Sequence, residues 1–226
     1  MYGPLFTDRR DAGRQLATLL SSYADDANVL VLGLPRGGVP VAFEVATALG
    51  APLDIFVVRK LGVPGQEELA MGAVASGGTL VLNHDVLAML RLPRNVIEAI
   101  VARERAELER RETRYRAGRP PPQLQGRTVI LVDDGIATGA SVRAAVEAAR
   151  QQQPAAVIIA APVIAEQTQD ALRRIADDVV CVAAPAALDG VGRWYGDFAQ
   201  TQDDEVEGLL DAASPADTSA RGTGAE

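Results

Sequence analysis

Two adjacent acids followed by small and hydroxyl residues carry the strongest chemical signal in this sequence. Asp133 and Asp134 end an apolar run, and a predicted helix start follows them, formed by Ala137, Thr138, Gly139, Ala140 and Ser141. Paired carboxylates at the end of a buried strand are costly unless a ligand needs them. Carboxylates accept hydrogen bonds from sugar hydroxyls, whereas amides at a helix N-terminus donate to phosphate. The pattern therefore predicts a site for a phosphorylated polyol. The alternative is that the two acids only cap the helix.

A second loop, at residues 33–40, has the composition of an anion-binding turn. At its centre stand Arg36, Gly37 and Gly38. Glycine lets backbone amides approach an anion closely, and an arginine offers a bidentate fork to phosphate oxygens. The glycine spacing fits neither the dinucleotide fingerprint nor the P-loop, which argues against a NAD-dependent dehydrogenase. This loop by itself is weak evidence for a ligand, and the alternative is a purely structural turn.

Short apolar runs alternate with helical patterns, which predicts an α/β fold with a doubly wound parallel sheet. The predicted strands are residues 29–32, 55–58, 129–132, 157–161 and 179–182. Helices are predicted from about 38 to 49, 140 to 152 and 167 to 175. Ligands of such open sheets bind beyond the carboxyl ends of the strands. We therefore expect both loops at one edge of the sheet.

A long insertion, residues 61–127, separates the second and third of these strands. It begins with a glycine-rich stretch, residues 61–83, in which Gly77-Gly78 predicts a hairpin. A helix is predicted over about 94–116, with a solvated face carrying i,i+4 charge pairs such as Glu107 with Arg111. We predict that residues 61–83 form a lid that excludes water from a bound ligand.

Composition bounds the function classes. The chain has 226 residues, a net charge of −8 and a pI near 4.8, so a general nucleic-acid binder is disfavoured. The longest apolar run, residues 155–165, is too short to span a bilayer. We expect a cytoplasmic protein of one full-sized domain. The lone Cys181 is predicted to be a buried inert thiol, and the lone His84 a surface or capping residue.

The segment VILVDDGIATGAS, residues 129–141, resembles the phosphoribosyl-pyrophosphate (PRPP) signature of type I phosphoribosyltransferases. PRGG at residues 35–38 is similar to that family's pyrophosphate loop. Arg59-Lys60, which includes the only lysine of the chain, resembles the basic pair that closes the next strand before a mobile loop. Gly135 departs from the pattern, since family members usually carry an aliphatic residue there.

The resemblance implies a role for each matched position. Asp133 and Asp134 would hold the ribose hydroxyls, residues 137–141 the 5′-phosphate, and residues 36–38 with Lys60 the pyrophosphate and its Mg²⁺. The ion is expected to be held mainly through PRPP and water, with no direct protein ligand. The implied catalytic set is Lys60, Arg59, Asp133 and Asp134. The implied donor-binding set is Arg36, Gly37, Gly38, Asp133, Asp134, Gly135, Ala137, Thr138, Gly139, Ala140 and Ser141.

The implied activity is Mg²⁺-dependent transfer of the 5-phosphoribosyl group from PRPP to a nitrogenous acceptor, with a nucleobase as first candidate and pyrophosphate as product. The alternative is a regulator that senses PRPP or a nucleotide on the same fold and transfers nothing. Expected partners are PRPP and a small acceptor, without nucleic acid or membrane; a homodimer is compatible with this reading.

The acceptor is expected to lie under a small hood. The predicted domain covers residues 1–210, with a lid and helical insertion at 61–127 and a hood at 188–206, followed by a disordered tail at 211–226. Residues 1–10 would add to the hood. Trp194 and Tyr195 are the expected stacking residues beside Phe198, and Asp189, Asp197 and Gln200 could read a base edge. The alternative is that these aromatic side chains only pin the segment to the core.

Overall fold

The computed structural model describes residues 4–90 and 92–213. The strands in this part of the chain are β1 Val29–Gly33, β2 Leu53–Ile55, β3 Val58–Val63, β4 Gln66–Ala75, β5 Thr79–Leu82, β6 Thr128–Val132, β7 Ala156–Val163 and β8 Asp178–Ala183. The α-helices are α1 Arg9–Leu19, α2 Gly38–Leu49, α3 His84–Leu90, α4 Arg94–Arg116, α5 Ala140–Gln151, α6 Glu166–Leu172 and α7 Asp203–Ala213.

A five-stranded parallel sheet in the order β2-β1-β6-β7-β8 forms the centre of the molecule. Neighbouring residues of β6 point to opposite faces, as the pleat requires. Val129 and Leu131 join a core cluster that includes residues of α5, whereas Ile130 and Val132 join one that includes α1 and α2. The sheet is therefore covered by helices on both faces, which confirms the predicted α/β class.

The first part of the insertion is a second sheet, antiparallel and three-stranded, in the order β3-β4-β5. A 3₁₀ turn, Ser76–Gly78, joins β4 to β5, and Gly77 and Gly78 have φ values of +79° and +76° there. The hairpin predicted at the glycine pair is thus present. This sheet has its own apolar cluster, which contains Leu61 and Met71 together with Ile100 of α4.

The predicted strand at residues 55–58 is wrong in its bounds. The Phe56 N–H still donates to Gly33 in the parallel sheet, at 3.0 Å, but the Val57 N–H donates to the Ser76 Oγ, at 2.9 Å. The apolar run is therefore divided between two sheets, and hydropathy cannot reveal the division because both parts are buried. As a result Arg59 and Lys60 lie within β3 rather than at the carboxyl end of a central strand.

Helix α4 spans the predicted residues and contains the predicted Glu107–Arg111 pair, at 2.8 Å. Helix α7 was not predicted. It packs through Val206, Leu209 and Leu210 against residues of α2 and α4. The tail prediction is therefore wrong for residues 211–213, which belong to this helix, while residues 214–226 lie outside the described residues.

Some smaller predictions have different outcomes. Cys181 is half-buried rather than buried, and its Sγ accepts a hydrogen bond from Gln169 at 3.2 Å. Burial raises the pKa of its thiol. The side chain of His84 and residues 1–3 of the predicted hood lie outside the described residues. Within those residues, no helix combines the length and the apolar character needed to cross a bilayer.

Candidate active site

The carboxyl ends of β1 and β6 bring the two predicted loops together. Gly33 pairs with Val132 in the parallel register, and these are the last residues of the two strands. The Leu34 N–H donates to the Val132 carbonyl at 2.8 Å, which carries the pairing one residue further. Each loop therefore leaves the sheet beside the other.

The glycines of the PRGG loop allow a direct contact with the acidic pair. A Cβ built on Gly37 would lie 2.0 Å from the Asp134 Oδ2, and one built on Gly38 would lie 2.5 Å from the Val132 carbonyl oxygen. A side chain at Gly37 would displace the Asp134 carboxylate, and one at Gly38 would collide with the backbone of the acidic loop, residues 133–135, so the close approach requires glycine. The Pro35–Arg36 peptide bond in this loop is cis.

The two carboxylates are in different electrostatic situations. Burial, followed by the neighbouring charge of Asp134, raises the pKa of Asp133 well above its ordinary value. Burial also raises the pKa of Asp134, but an ion pair with Arg9 opposes that effect. Asp133 Oδ1 accepts a hydrogen bond from the Asp134 N–H at 2.9 Å. Burial therefore makes ionisation of both carboxyl groups less favourable than in water.

Arg9, at the start of α1, is a site residue that sequence reasoning missed. Its Nε donates to Asp134 Oδ2 at 2.8 Å and its Nη1 to the Ala199 carbonyl at 2.7 Å. Its guanidinium carbon lies 3.9 Å from the centre of the Phe198 ring, a cation–π arrangement. No local pattern indicates this contact, because Arg9 and Asp134 are 125 residues apart.

The predicted phosphate loop is fixed at its base and open at its surface. Ile136 is buried and pairs with Ile164, and the Thr168 Oγ1 donates to the Ala137 carbonyl at 2.6 Å. Gly139, with φ +74°, turns the chain into α5. The loop residues with exposed side chains are Ala137, Thr138, Ala140 and Ser141. Because amides in the first turn of a helix have no intrahelical acceptor, this loop can donate to an anion.

The departure at Gly135 has a packing reason. A Cβ at this position would lie 2.3 Å from the Val191 Cγ1, in the 3₁₀ turn Val191–Trp194. Val191 therefore fills the volume that an aliphatic side chain at residue 135 would need. The hood segment and the acidic loop fit each other in this chain.

The expected stacking role of Tyr195 does not agree with its position. The residue is 5% exposed, and its ring centre lies 5.2 Å from that of Phe6 and 4.8 Å from that of Phe198. Its hydroxyl donates to the Asp134 carbonyl, and burial raises its pKa. Tyr195 therefore packs within the hood and fixes the acidic loop, and its ring is not open to a base in this structure. Trp194 is half-buried and packs against the same cluster.

The basic pair Arg59-Lys60 lies apart from the two loops, because Arg59 binds Glu104 on α4 instead of a loop residue. The Arg59 Nη2 and Nε lie 2.6 and 2.9 Å from the Glu104 Oε2. Glu104 is 7% exposed, and a buried carboxylate of this kind needs a cation. Lys60 is exposed on the same strand, and both side chains line a cleft of about 350 Å³ against α4. The implied catalytic role of Arg59 is therefore not supported by its place in the structure.

A sequence model described as the phosphoribosyl transferase domain matches residues 7–193. The chain belongs to the phosphoribosyl transferase family. A protein of Mycobacterium tuberculosis strain H37Rv, named as a phosphoribosyl transferase, is 50% identical over 209 residues, which cover 92% of this chain and 47% of that protein. The chain thus spans about half the length of the curated relatives that it matches at this identity.

The chain is also similar to one solved structure over most of its length and to one further protein over half of its length. The crystal structure of the protein TT1426 from Thermus thermophilus superposes with a TM-score of 0.84 at 43% identity, covering 93% of this chain and 99% of that chain. A protein named bifunctional protein PyrR, from Chloroflexus aurantiacus, is 31% identical over 115 residues, or 50% of this chain and 57% of its own length. The fold of this chain is therefore shared with the Thermus thermophilus structure over nearly its whole length.

Proposed function

We propose that this phosphoribosyl transferase domain binds PRPP with Mg²⁺ and transfers its 5-phosphoribosyl group to a nitrogenous acceptor, with a nucleobase as first candidate. The observation that carries the proposal is the direct contact between the PRGG loop and the Asp133–Asp134 pair, next to the open start of α5. One small edge of the sheet thus offers carboxylates for a sugar and two groups of amides for its two phosphate ends.

Each group has a role that its chemistry supports. Asp133 and Asp134 accept hydrogen bonds from the ribose 2′- and 3′-hydroxyls. The amides and hydroxyls of residues 137–141 hold the 5′-phosphate, and residues 36–38 hold the pyrophosphate. Because Arg9 already binds Asp134 at 2.8 Å, the donor shares that carboxylate with Arg9 or displaces it.

The reaction requires positioning and charge rather than a nucleophilic side chain. The bond from C1 to the pyrophosphate oxygen breaks and its electron pair leaves with pyrophosphate. The acceptor nitrogen forms the new bond to C1 and loses a proton to solvent. Positive charge develops on the sugar in between, and an ionised carboxylate beside it lowers the energy of that state. The loops hold the reacting atoms in line, which supplies much of the rate.

Mg²⁺, when bound, would neutralise charge on the departing pyrophosphate. Within residues 4–90 and 92–213 no cluster of three or more His, Cys, Asp or Glu side chains is placed to hold a metal ion. We propose that phosphate oxygens of the donor and water supply most of the ligands. Asp133 and Asp134 are the acidic groups of this edge that would lie closest to it.

We retain the lid as a proposal, with a changed mechanism. Residues 61–83 are mainly strands that pack on α4, and Ala75 and Val81 also join the core cluster of α5, so closure would bend this sheet about its edge near α5. Such a motion would carry Lys60 toward the pyrophosphate, which makes Lys60 the catalytic cation of the pair. Hydrogen exchange over residues 61–83 should slow on addition of Mg²⁺ and PRPP; unchanged exchange at saturation would remove the lid.

We propose that the acceptor enters a cleft of about 230 Å³ between α1 and the hood. Arg9, Asp197 and Gln200 line this cleft, and Arg9 connects it to Asp134. Asp197 and Gln200 offer acceptor and donor groups to the edge of a base. Asp189 is less suited, because it pairs with Arg193 at the surface, with side-chain exposures of 70% and 73%.

A regulator that senses PRPP or a nucleotide is the second candidate. The observation that favours it is that two groups assigned to the reaction are already engaged, Asp134 by Arg9 and Arg59 by Glu104. A sensor binds its ligand without needing the basic pair at the pyrophosphate. Transfer, by contrast, requires that at least Lys60 reach it.

An acceptor screen separates the two candidates. Wild-type protein is incubated with PRPP, Mg²⁺ and a panel of bases and other amines, and pyrophosphate release is followed. Transfer predicts acceptor-dependent release that Lys60→Ala reduces strongly while PRPP binding persists. PRPP binding without release for any acceptor would favour the sensor.

A further inference from the structure

A cleft of about 290 Å³ opens beside Pro35 and Arg36, at the PRGG loop of the candidate active site. It lies between that loop, α4 and the start of α7. The charged and polar side chains that line it are Arg36, Arg110, Arg111, Arg114, Tyr115 and Asp203. We call it the arginine cleft. The three arginines from α4 do not belong to either loop motif.

Two of these arginines keep donors that their ion pairs do not use. Glu107 accepts from Arg110 Nε and Nη2, at 2.8 and 2.9 Å, and from Arg111 Nε, at 2.8 Å. These contacts lower the pKa of Glu107 to about 2. A guanidinium has five N–H donors, so donors of Arg110 and Arg111 remain for another anion. Their side chains are 61% and 33% exposed, so a solute can reach them.

The carboxylate of Asp203 already occupies one anion position in the cleft. Asp203 accepts from the Tyr115 hydroxyl and from Arg114 Nη1, at 2.6 Å for the latter, and Arg36 Nη1 lies 3.6 Å away. Arg114 also binds Asp204 at 2.7 Å and Glu207 at 2.6 Å on the outer side of α7. The Tyr115 hydrogen bond, the largest cause, lowers the pKa of Asp203. The first residue of α7 thus takes the place that a phosphate oxygen would take.

We propose that the arginine cleft binds an oligophosphate chain, and that Asp203 holds the cleft in a self-occupied state until the anion displaces it. Arginine forks match phosphate oxygens in pairs, and several of them around one cleft favour more than one phosphate group. Arg36 belongs to both the cleft and the PRGG loop, so an anion bound in the cleft would lie next to the pyrophosphate site proposed at residues 36–38. Binding at the cleft does not depend on the proposed transfer reaction.

Calorimetry with inorganic triphosphate on the full chain tests the cleft. The double variant Arg110→Ala/Arg111→Ala should weaken the affinity about tenfold or more, because two charged donors are lost. These two residues bind Glu107 of their own helix, so the variant leaves the α4–α7 contacts of Arg114 in place. Arg94→Ala is the matched control: it lies on the same helix, is 92% exposed and pairs with Glu98. It should leave the affinity unchanged.

Asp203→Asn should change the triphosphate affinity in the opposite direction. The amide keeps an acceptor for Tyr115 but removes the competing charge, so triphosphate should bind several-fold more tightly than to wild type. Hydrogen exchange over residues 203–213 of the wild type should accelerate when triphosphate is added, because the anion releases the start of α7. A merely structural set of ion pairs would give weaker folding in Asp203→Asn without tighter binding.

Two results would overturn the inference. Undetectable triphosphate binding, or equal affinity of wild type and the double variant, would leave Arg114 as a clamp for α7 and Arg110 and Arg111 as partners of Glu107 on their own helix. A parallel titration with ATP identifies the source of the phosphate chain. Equal affinities assign recognition to the chain alone, and at least tenfold tighter binding of ATP assigns it to a nucleotide. The double variant should weaken the binding of triphosphate and of ATP alike.

Discussion

Two regions of this molecule withdraw carboxylates from solvent, Glu104 fully and the aspartate pair partly, and they treat the charge in different ways. In the insertion, Glu104 is 7% exposed and lies between Arg59, at 2.6 Å, and Arg103, at 3.0 Å. At the edge of the parallel sheet, Asp133 and Asp134 stand side by side, and Arg9 binds Asp134. Burial raises the pKa of both aspartates. A carboxylate with nearby cations serves the fold, whereas an acidic pair with too little positive charge is arranged for a ligand.

The largest expected effect on stability is in the insertion. Glu104→Gln removes the anion that Arg59 and Arg103 bind, and should lower the free energy of unfolding by about 2 kcal/mol. PRPP affinity should not change. Glu98→Gln is the matched control on the same helix, since Glu98 is 62% exposed, and should cost less than about 0.5 kcal/mol. Denaturant unfolding of both variants gives the two values. A loss of PRPP affinity in Glu104→Gln with intact stability would reverse the comparison.

At the sheet edge, Arg9→Ala should lower stability by about 1–2 kcal/mol at neutral pH. Arg9 lowers the pKa of Asp134, so the ion pair stabilises the fold while Asp134 is ionised and stops doing so as the pH falls through its folded pKa. The difference from wild type should therefore shrink in acid. Arg10→Ala, whose side chain is 48% exposed, is the control and should change little. A deficit that persists unchanged at low pH would mean that Arg9 acts through packing on Phe198 instead.

Asp133→Asn should have a smaller effect, and of the opposite sign. Because the folded pKa of Asp133 is raised, the folded state binds more protons than the unfolded state above pH 4, and wild-type stability falls as the pH rises. The asparagine variant lacks this penalty, so we expect it to be about 1 kcal/mol more stable at pH 7 and equal to wild type near pH 4. Thermal unfolding over this pH range measures the gap. A less stable variant at pH 7 would show that the Asp133 charge supports the fold.

Lys60→Ala has the smallest expected effect on folding. Lys60 is exposed on β3, so its removal should change stability by less than about 0.5 kcal/mol, yet turnover should fall strongly if it reaches the pyrophosphate. Lys60→Arg tests whether a compact charge is needed rather than a planar fork. Pyrophosphate release measured at saturating donor separates these cases. Full activity of Lys60→Ala would make it an ordinary surface cation.

The difference between the two regions also explains what could be predicted. The loops at residues 36–38 and 133–141 are local motifs, and parallel strands necessarily bring their carboxyl ends to one edge. The contacts of Arg9 and Tyr195 with Asp134 join positions 125 and 61 residues apart, for which no spacing rule exists. The division of the run at Phe56 depends on Ser76, in the turn that joins two strands of the other sheet. The sequence pattern did not predict helix α7, because its three buried residues are spread through an acidic segment next to a tail of low hydrophobicity.

The most direct test of the account is the binding of PRPP to the acidic pair. Calorimetry with Mg²⁺ present should compare wild type with Asp133→Asn and Asp134→Asn, with Glu104→Gln as the control for a buried carboxylate elsewhere. Each aspartate variant should lose about 1.5–3 kcal/mol of binding free energy, since a charged hydrogen bond to a ribose hydroxyl is lost, while the control keeps wild-type affinity. Unchanged affinity in both aspartate variants would contradict the assignment of this edge as the donor site.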